Sequence, residues 1–119
     1  MCVKDSEMIT TQKKPAQEAI LAESVRRLRS ILPAERIYLF GSQARGDATD
    51  DSDYDFMVVV RRSTLPRYKR DQQAFRALCG LGVPKDVIVL TRKEFTDLLQ
   101  IPSSLPSAVV SEGILLYAE

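Results

Sequence analysis

The residues best suited to chemistry are three aspartates and a Gly-Ser pair. A single residue lies between Asp53 and Asp55, and Asp86 begins a later apolar run. Gly41 and Ser42 directly follow another apolar run. Phosphoryl transfer needs a cradle for the phosphates and cations that neutralise their charge, and carboxylates are the ligands that hard cations prefer. Gly41 lets the backbone approach a ligand closely, while Ser42 offers a hydroxyl and a backbone N–H.

The spacing of the aspartates favours a divalent cation. On a strand, Asp53 and Asp55 project from the same face with Cα atoms about 6 to 7 Å apart, which suits a shared or bridging ion. Asp86 opens an otherwise apolar strand, where an unpaired carboxylate would cost several kcal/mol if it were buried. If the two strands are neighbours, three carboxylates converge, and protonation or a bound cation relieves their repulsion. We therefore expect Mg²⁺ or Mn²⁺ at these residues.

Two other loop motifs are excluded by missing residues. A Walker-type phosphate loop requires Lys and then Ser or Thr after its second glycine, but Asp47 and Ala48 follow Gly46. A calcium loop through the acidic stretch requires Gly and Glu at positions occupied by Phe56 and Arg62.

Composition narrows the function classes further. The 119 residues contain no histidine, which argues against triad hydrolases and zinc hydrolases. A net charge of +1 makes nucleic acid unsuitable as the main partner. Cys2 and Cys79 form neither a metal motif nor a disulfide framework, as expected in a reducing cytoplasm. No apolar run approaches the ~18 residues that span a bilayer, so we expect a cytoplasmic protein without membrane contact.

The hydrophobic periodicity predicts helices and strands in alternation. Thr91 and Glu94 form a capping-box pattern before one helix, and Gly113 is predicted as the left-handed end of another. A short helix through Arg45 should follow the Gly-Ser turn. The other helices are predicted at 15–32, 66–81 and 92–99, with a last short one ending at Glu112, and the strands at 37–40, 53–60, 85–90 and 114–117.

This order indicates an α/β or α+β fold, with a mixed β-sheet flanked by helices. We expect a flexible N-terminus over 1–14 and a single domain over 15–119. A basic cluster is interpreted as a solvated face, with a role in binding substrate or RNA left open. Its members are Arg61, Arg62, Arg67, Lys69, Arg70 and Arg76.

Taken together, the motifs resemble those of the nucleotidyltransferases of the polymerase-beta superfamily. Gly41-Ser-Gln-Ala-Arg-Gly46, then Ser52-Asp53-Tyr-Asp55, then Asp86 on a later apolar strand follow the pattern of its minimal members, the MNT proteins. Those proteins are often encoded beside a HEPN-domain protein. Three elements occur in order with compatible spacing, and the layout covers nearly the whole chain.

The resemblance implies a polymerase-beta-like fold and a role for each motif residue. Asp53 and Asp55 would bind the metal of the nucleotide and a catalytic metal, so two ions are expected. Asp86 would complete the second metal site and help to activate an acceptor hydroxyl. The nucleotide-binding residues of the motif correspond to Gly41, Ser42, Arg45, Gly46 and Ser52.

The resemblance also implies the reaction and the partners. A nucleoside monophosphate, expected to be AMP from Mg-ATP, would pass to a hydroxyl, with a HEPN-type partner protein as the expected acceptor. The sequence ends at Glu119 without the acceptor domain of larger relatives, so a partner or a second copy in a homo-oligomer should supply the acceptor site. The alternative is a non-catalytic, antitoxin-like subunit that binds nucleotide and neutralises its partner by occlusion. A drug-modifying transferase of the aminoglycoside type is disfavoured, because such enzymes carry additional helices.

Overall fold

A computed structural model describes residues 15–49 and 52–119. The predicted flexible segment 1–14 lies outside the described residues, as do the loop positions 50 and 51. In the part of the chain that is described, no helix has both the length and the apolarity to cross a membrane. The elements in chain order are α1 (Pro15–Ile31), β1 (Ala34–Phe40), α2 (Ser42–Arg45), β2 (Tyr54–Val60), α3 (Arg67–Ala77), β3 (Lys85–Thr91), α4 (Arg92–Leu99), α5 (Leu105–Glu112) and β4 (Ile114–Ala118).

The strands form one mixed sheet in the order β3-β2-β1-β4. β1 pairs antiparallel with both β2 and β4, and β2 pairs parallel with β3. The sequence prediction of a mixed sheet flanked by helices is confirmed. Because of these directions, β1 ends where β2 and β3 begin. We call this end of the strands the site end of the sheet, and the opposite end the far end.

Helices cover both faces of the sheet. α1 and α3 pack on one face of the sheet, over a core that includes Phe56, whereas α4 and α5 pack on the other face, where Phe95 and Val109 join a core that includes Met57. Both faces of β2 are therefore buried, apart from Asp55 near its start. Burial on both faces explains why β2 is a nearly continuous apolar run without the alternation of a half-exposed strand.

The bounds of two elements differ by three or more residues from those predicted. β1 begins at Ala34, three residues before the predicted start. The prediction started too late because the charged residues Glu35 and Arg36 interrupt the apolar pattern of the strand. α3 ends at Ala77, four residues before the predicted end, and the chain then turns through Gly80 and Gly82, both with positive φ.

The prediction for Gly113 was wrong. Gly113 has a φ of −83° and a ψ of −179°, which is extended backbone open to any residue. Space is what requires glycine here. A Cβ atom would lie 2.6 Å from the carbonyl oxygen of Val109 and 2.7 Å from that of Leu39, so the close approach of α5 to β1 leaves no room for a side chain.

Candidate active site

The turn after β1 is built around an aspartate. Gly41 has a φ of +80°, and its carbonyl accepts hydrogen bonds from the backbone N–H groups of Ala44 and Arg45 at 3.0 and 3.1 Å, which starts α2. A Cβ at position 41 would lie only 2.4 Å from Oδ2 of Asp55. Glycine is therefore required twice, once for the backbone conformation and once because the Asp55 carboxylate lies directly against it.

The strand register places the predicted aspartates at the site end of the sheet. Asp55 is opposite Phe40 on one side, next to the Gly41 turn, and opposite Asp86 on the other. Asp53 precedes β2 by one residue and is exposed. Burial raises the pKa of Asp55, and the charges of Asp53 and Asp86 raise it further. The three carboxylates are thus within electrostatic reach of one another.

Asp86 differs from the sequence expectation in one respect. A buried Asp86 carboxylate would need a partner, but the Asp86 side chain is exposed. Its Oδ1 accepts a hydrogen bond of 2.9 Å from the backbone N–H of Val87. The position next to Asp55 follows from the parallel pairing, and the desolvation argument does not apply.

The chemistry of these side chains fits magnesium that arrives with a substrate. Within 15–49 and 52–119, no group of three or more His, Cys, Asp or Glu side chains lies close enough to enclose an ion. Mg²⁺ is commonly held by one or two carboxylates together with substrate phosphates and water. Asp53 and Asp55 supply carboxylate oxygens, and the repulsion that Asp55 experiences is not relieved by the protein. These features match binding of Mg²⁺ together with a substrate better than binding in a complete cage of protein ligands.

Arg45 and Gly46 shape the end of α2. Gly46 has a φ of +87° and its backbone N–H donates to the carbonyl oxygen of Ser42 at 3.0 Å. The Nε atom of Arg45 lies 3.4 Å from Oδ2 of Asp47, and both side chains are exposed. An exposed ion pair of this length is weak, so Arg45 is free to reorient toward another anion.

Ser52 closes the loop that leads into β2. Its Oγ accepts a hydrogen bond of 2.8 Å from the backbone N–H of Thr49. The carbonyl oxygen of Ser52 accepts a bond of 3.2 Å from Gln43, which is only 5% exposed, and Gln43 in turn accepts one of 2.8 Å from Gln17 of α1. Sequence reasoning missed Gln43. The signal that could have found it is a polar residue placed between Ser42 and Ala44 inside the motif.

The basic cluster predicted from the sequence is divided by the structure. Arg70 is 5% exposed, contrary to the interpretation as a solvated face, and pairs with Glu94 at 2.8 Å. Arg61 lies at the far end of the sheet, whereas Arg67 and Arg76 line a pocket that also includes Asp86. A run of charges along a helix and its preceding loop cannot show which of them turns inward.

A sequence model of the nucleotidyltransferase domain matches residues 20–116, most of the chain. The chain belongs to the nucleotidyltransferase domain family. The family predicted from the Gly-Ser and Asp-x-Asp motifs is thereby confirmed. A protein of Methanocaldococcus jannaschii, provisionally named protein adenylyltransferase MJ0141, is 31% identical over 55 residues. That match covers 46% of this chain and 54% of the relative, so the chain spans about half the length of the curated protein it matches.

Two solved structures share the fold of this nucleotidyltransferase domain. A protein of Sulfolobus solfataricus, provisionally described as a nucleotidyltransferase, is 27% identical, with a TM-score of 0.60 and 90% of each chain covered. A chain from a toxin-antitoxin structure with AMP-PNP is 22% identical, with a TM-score of 0.52 over 83% of this chain and 73% of that one. The second likeness is one of fold alone. Together they confirm the predicted fold class.

Proposed function

We propose that this protein transfers AMP from Mg-ATP to a hydroxyl group of an acceptor and releases pyrophosphate. The observation that carries the proposal is the position of Asp55, whose carboxylate lies against Gly41 and opposite Asp86 in the parallel ladder. Phosphate-binding turn and acidic side chains are thus contiguous, as phosphoryl transfer requires. Membership of the nucleotidyltransferase family supports the reaction class.

The motif residues take separate roles in this proposal. The backbone at Gly41 and the hydroxyl of Ser42 would hold the phosphates, and Asp53 and Asp55 would hold two magnesium ions. Bound magnesium neutralises charge on the phosphates. Asp86 accepts a hydrogen bond from the acceptor hydroxyl and takes its proton as the oxygen bonds to the α-phosphorus. The bond between that phosphorus and the oxygen of the leaving pyrophosphate breaks.

The remaining motif residues support the nucleotide in the same proposal. Gly46 and Ser52 fix the loop between α2 and β2 through their bonds to Ser42 and Thr49. Arg45 leaves its weak pair with Asp47 and adds positive charge beside the phosphates. Replacing Arg45 with Gln should therefore weaken nucleotide binding without unfolding the loop.

A protein is the acceptor that we favour, specifically a HEPN-type partner. The name of the Methanocaldococcus jannaschii relative supports a protein as the acceptor, and the motif resemblance to minimal nucleotidyltransferases supports the type of partner. The product would be the partner protein carrying AMP on a hydroxyl oxygen.

The test uses labelled ATP, Mg²⁺ and the product of the neighbouring gene. We expect the partner to be labelled by the native protein and not by the Asp53→Asn, Asp55→Asn double variant. Asp97→Asn is the matched control, because Asp97 is an exposed acid on α4 that pairs with Lys93. Labelling that persists in the double variant would contradict the proposal.

A second function is suggested by Asp86, because its Oδ1 already accepts a hydrogen bond from the backbone N–H of Val87. An oxygen that is engaged in this way is less available to take a proton from an acceptor. In that arrangement the chain would bind nucleotide without turnover and neutralise a partner by occlusion, like an antitoxin. The double variant separates the two functions. Occlusion predicts that it still binds and inhibits the partner, whereas loss of inhibition with binding intact argues against occlusion.

A further inference from the structure

Asp86 has Asp55 on one side and a surface groove on the other. β3 is an edge strand, so Asp55 flanks Asp86 on the side of β2. Between α3 and the start of β3 lies a groove of about 580 Å³ that includes Asp86 in its wall. If the nucleotide lies over Gly41 and Asp55, the groove is the open approach to Asp86 from the other side. An acceptor that enters there meets the carboxylate without crossing the nucleotide.

The groove combines aromatic and cationic side chains. Phe75 is 41% exposed, and the Nζ atom of Lys85 lies 5.2 Å from the centre of its ring. The Nε atom of Arg67 lies 3.6 Å from Oδ2 of Asp71, so the charge of Arg67 is partly offset. Arg76 also lines the groove and has no ion pair with any described side chain. Its charge is therefore available to a ligand.

The free edge of β3 limits how a ligand can be held. The backbone N–H of Val89 donates to Oδ1 of Asp71 at 2.8 Å, and its carbonyl accepts from Nη1 of Arg70 at 3.1 Å. The N–H of Val87 is taken by Asp86. Because these backbone groups already have partners, a segment in the groove cannot simply add as another strand, and side chains must recognise it.

We propose that this groove binds an acidic segment of the protein acceptor and presents its hydroxyl to Asp86; this inference rests on the proposed function. Arg76 and Arg67 pair with carboxylates of the segment, and the exposed face of Phe75 packs against an apolar or aromatic side chain. A protein fits better than RNA. The chain as a whole has a charge of only +1, whereas a phosphate backbone is bound chiefly through an excess of basic residues.

The experiment uses two synthetic peptides with the same tyrosine, serine and threonine, flanked either by glutamates or by lysines. An RNA oligonucleotide is the third acceptor. Native protein, Arg76→Glu, Arg76→Gln and the control Arg62→Glu are incubated with labelled ATP and Mg²⁺. Arg62 is an exposed arginine in the far-end loop after β2, and it lines a different pocket, with Arg29 and Tyr117. Thermal shifts with Mg-ATP measure nucleotide binding by each variant.

We expect native protein to label the glutamate peptide best. Arg76→Glu should raise the KM for that peptide about tenfold or more, with Arg76→Gln in between and Arg62→Glu unchanged. The Mg-ATP thermal shift should be equal in all four. Equal KM values for native protein and Arg76→Glu would overturn the inference, as would preference for the lysine peptide or the RNA, or no labelling of either peptide. If native protein shows no Mg-ATP shift, or labels neither the peptides nor the product of the neighbouring gene, the proposed function is contradicted instead.

Discussion

The two ends of the sheet treat carboxylates in opposite ways. At the far end, the Glu35 side chain is 12% exposed and accepts hydrogen bonds from Arg92 and Arg61. These bonds lower the pKa of Glu35 to about 2. At the site end, burial and two neighbouring aspartates raise the pKa of Asp55. The arginines of the protein neutralise the Glu35 carboxylate, whereas the charge of the Asp55 carboxylate is left for a ligand to neutralise.

The difference separates stability from function. A carboxylate paired in the folded state favours folding, whereas a carboxylate held among like charges opposes it. Electrostatically unfavourable groups persist where a ligand relieves them, which is why perturbed carboxylates mark functional sites. The contrast between the ends therefore supports the site end as the position of a cation and its substrate.

The largest expected effect is that of Asp55→Asn on transfer activity. The carboxamide keeps the shape of the side chain but cannot neutralise a cation, so activity should fall by about a hundredfold or more. Removing one of the crowded charges should leave the thermal midpoint without ligand unchanged or higher. Labelled-ATP transfer and thermal melting measure the two effects. A lower midpoint with full activity would assign Asp55 to stability and break the comparison.

The next effect comes from the glycine beneath Asp55. Gly41→Ala and Gly82→Ala both place alanine at a φ of +80°, which costs about 1 to 2 kcal/mol in each case. A methyl group at position 82 would meet no atom within 4 Å, whereas a methyl group at position 41 collides with the Asp55 carboxylate. We expect similar losses of stability by urea unfolding but a loss of activity only in Gly41→Ala. Equal activity of the two variants would remove Asp55 from the site.

Sequence reasoning reached the site because its residues are local motifs. Gly41-Ser42 and Asp53-x-Asp55 are short patterns, and the parallel pairing of their strand with that of Asp86 follows from the alternation of strands and helices. The pairing of Glu35 with arginines that follow β2 and begin α4 joins residues far apart in the chain, and no local pattern predicts it. Nor does sequence periodicity show that Arg70 turns inward to Glu94.

A smaller effect is expected from Glu35→Gln at the far end. The neutral side chain removes the carboxylate that pairs with Arg92 and leaves Arg61 with Glu119 alone, so the urea midpoint at pH 7 should fall. Transfer activity should not change, because Glu35 is the second residue of β1, at the far end, whereas the site residues lie at the site end of the sheet. Asp97→Asn is the control for a loss of one acidic charge at an exposed pair. An equal fall in both variants would show that the Glu35 pairs carry no special weight.

The smallest and most specific effect is the pH dependence of stability. Glu35 has a folded pKa of about 2 against about 4.3 in an unfolded chain, so its stabilisation is complete above about pH 4.3 and is lost as the pH falls toward 2. The unfolding free energies of native protein and Glu35→Gln should therefore converge in that range. Asp55 has the opposite sign, because its raised pKa lets protonation relieve repulsion on acidification. Asp55→Asn lacks that relief and should lose stability more steeply than native protein as the pH falls from neutral through the carboxylate range, as urea unfolding at each pH would measure. Parallel curves for all three proteins would mean that the two ends do not differ in how they hold charge.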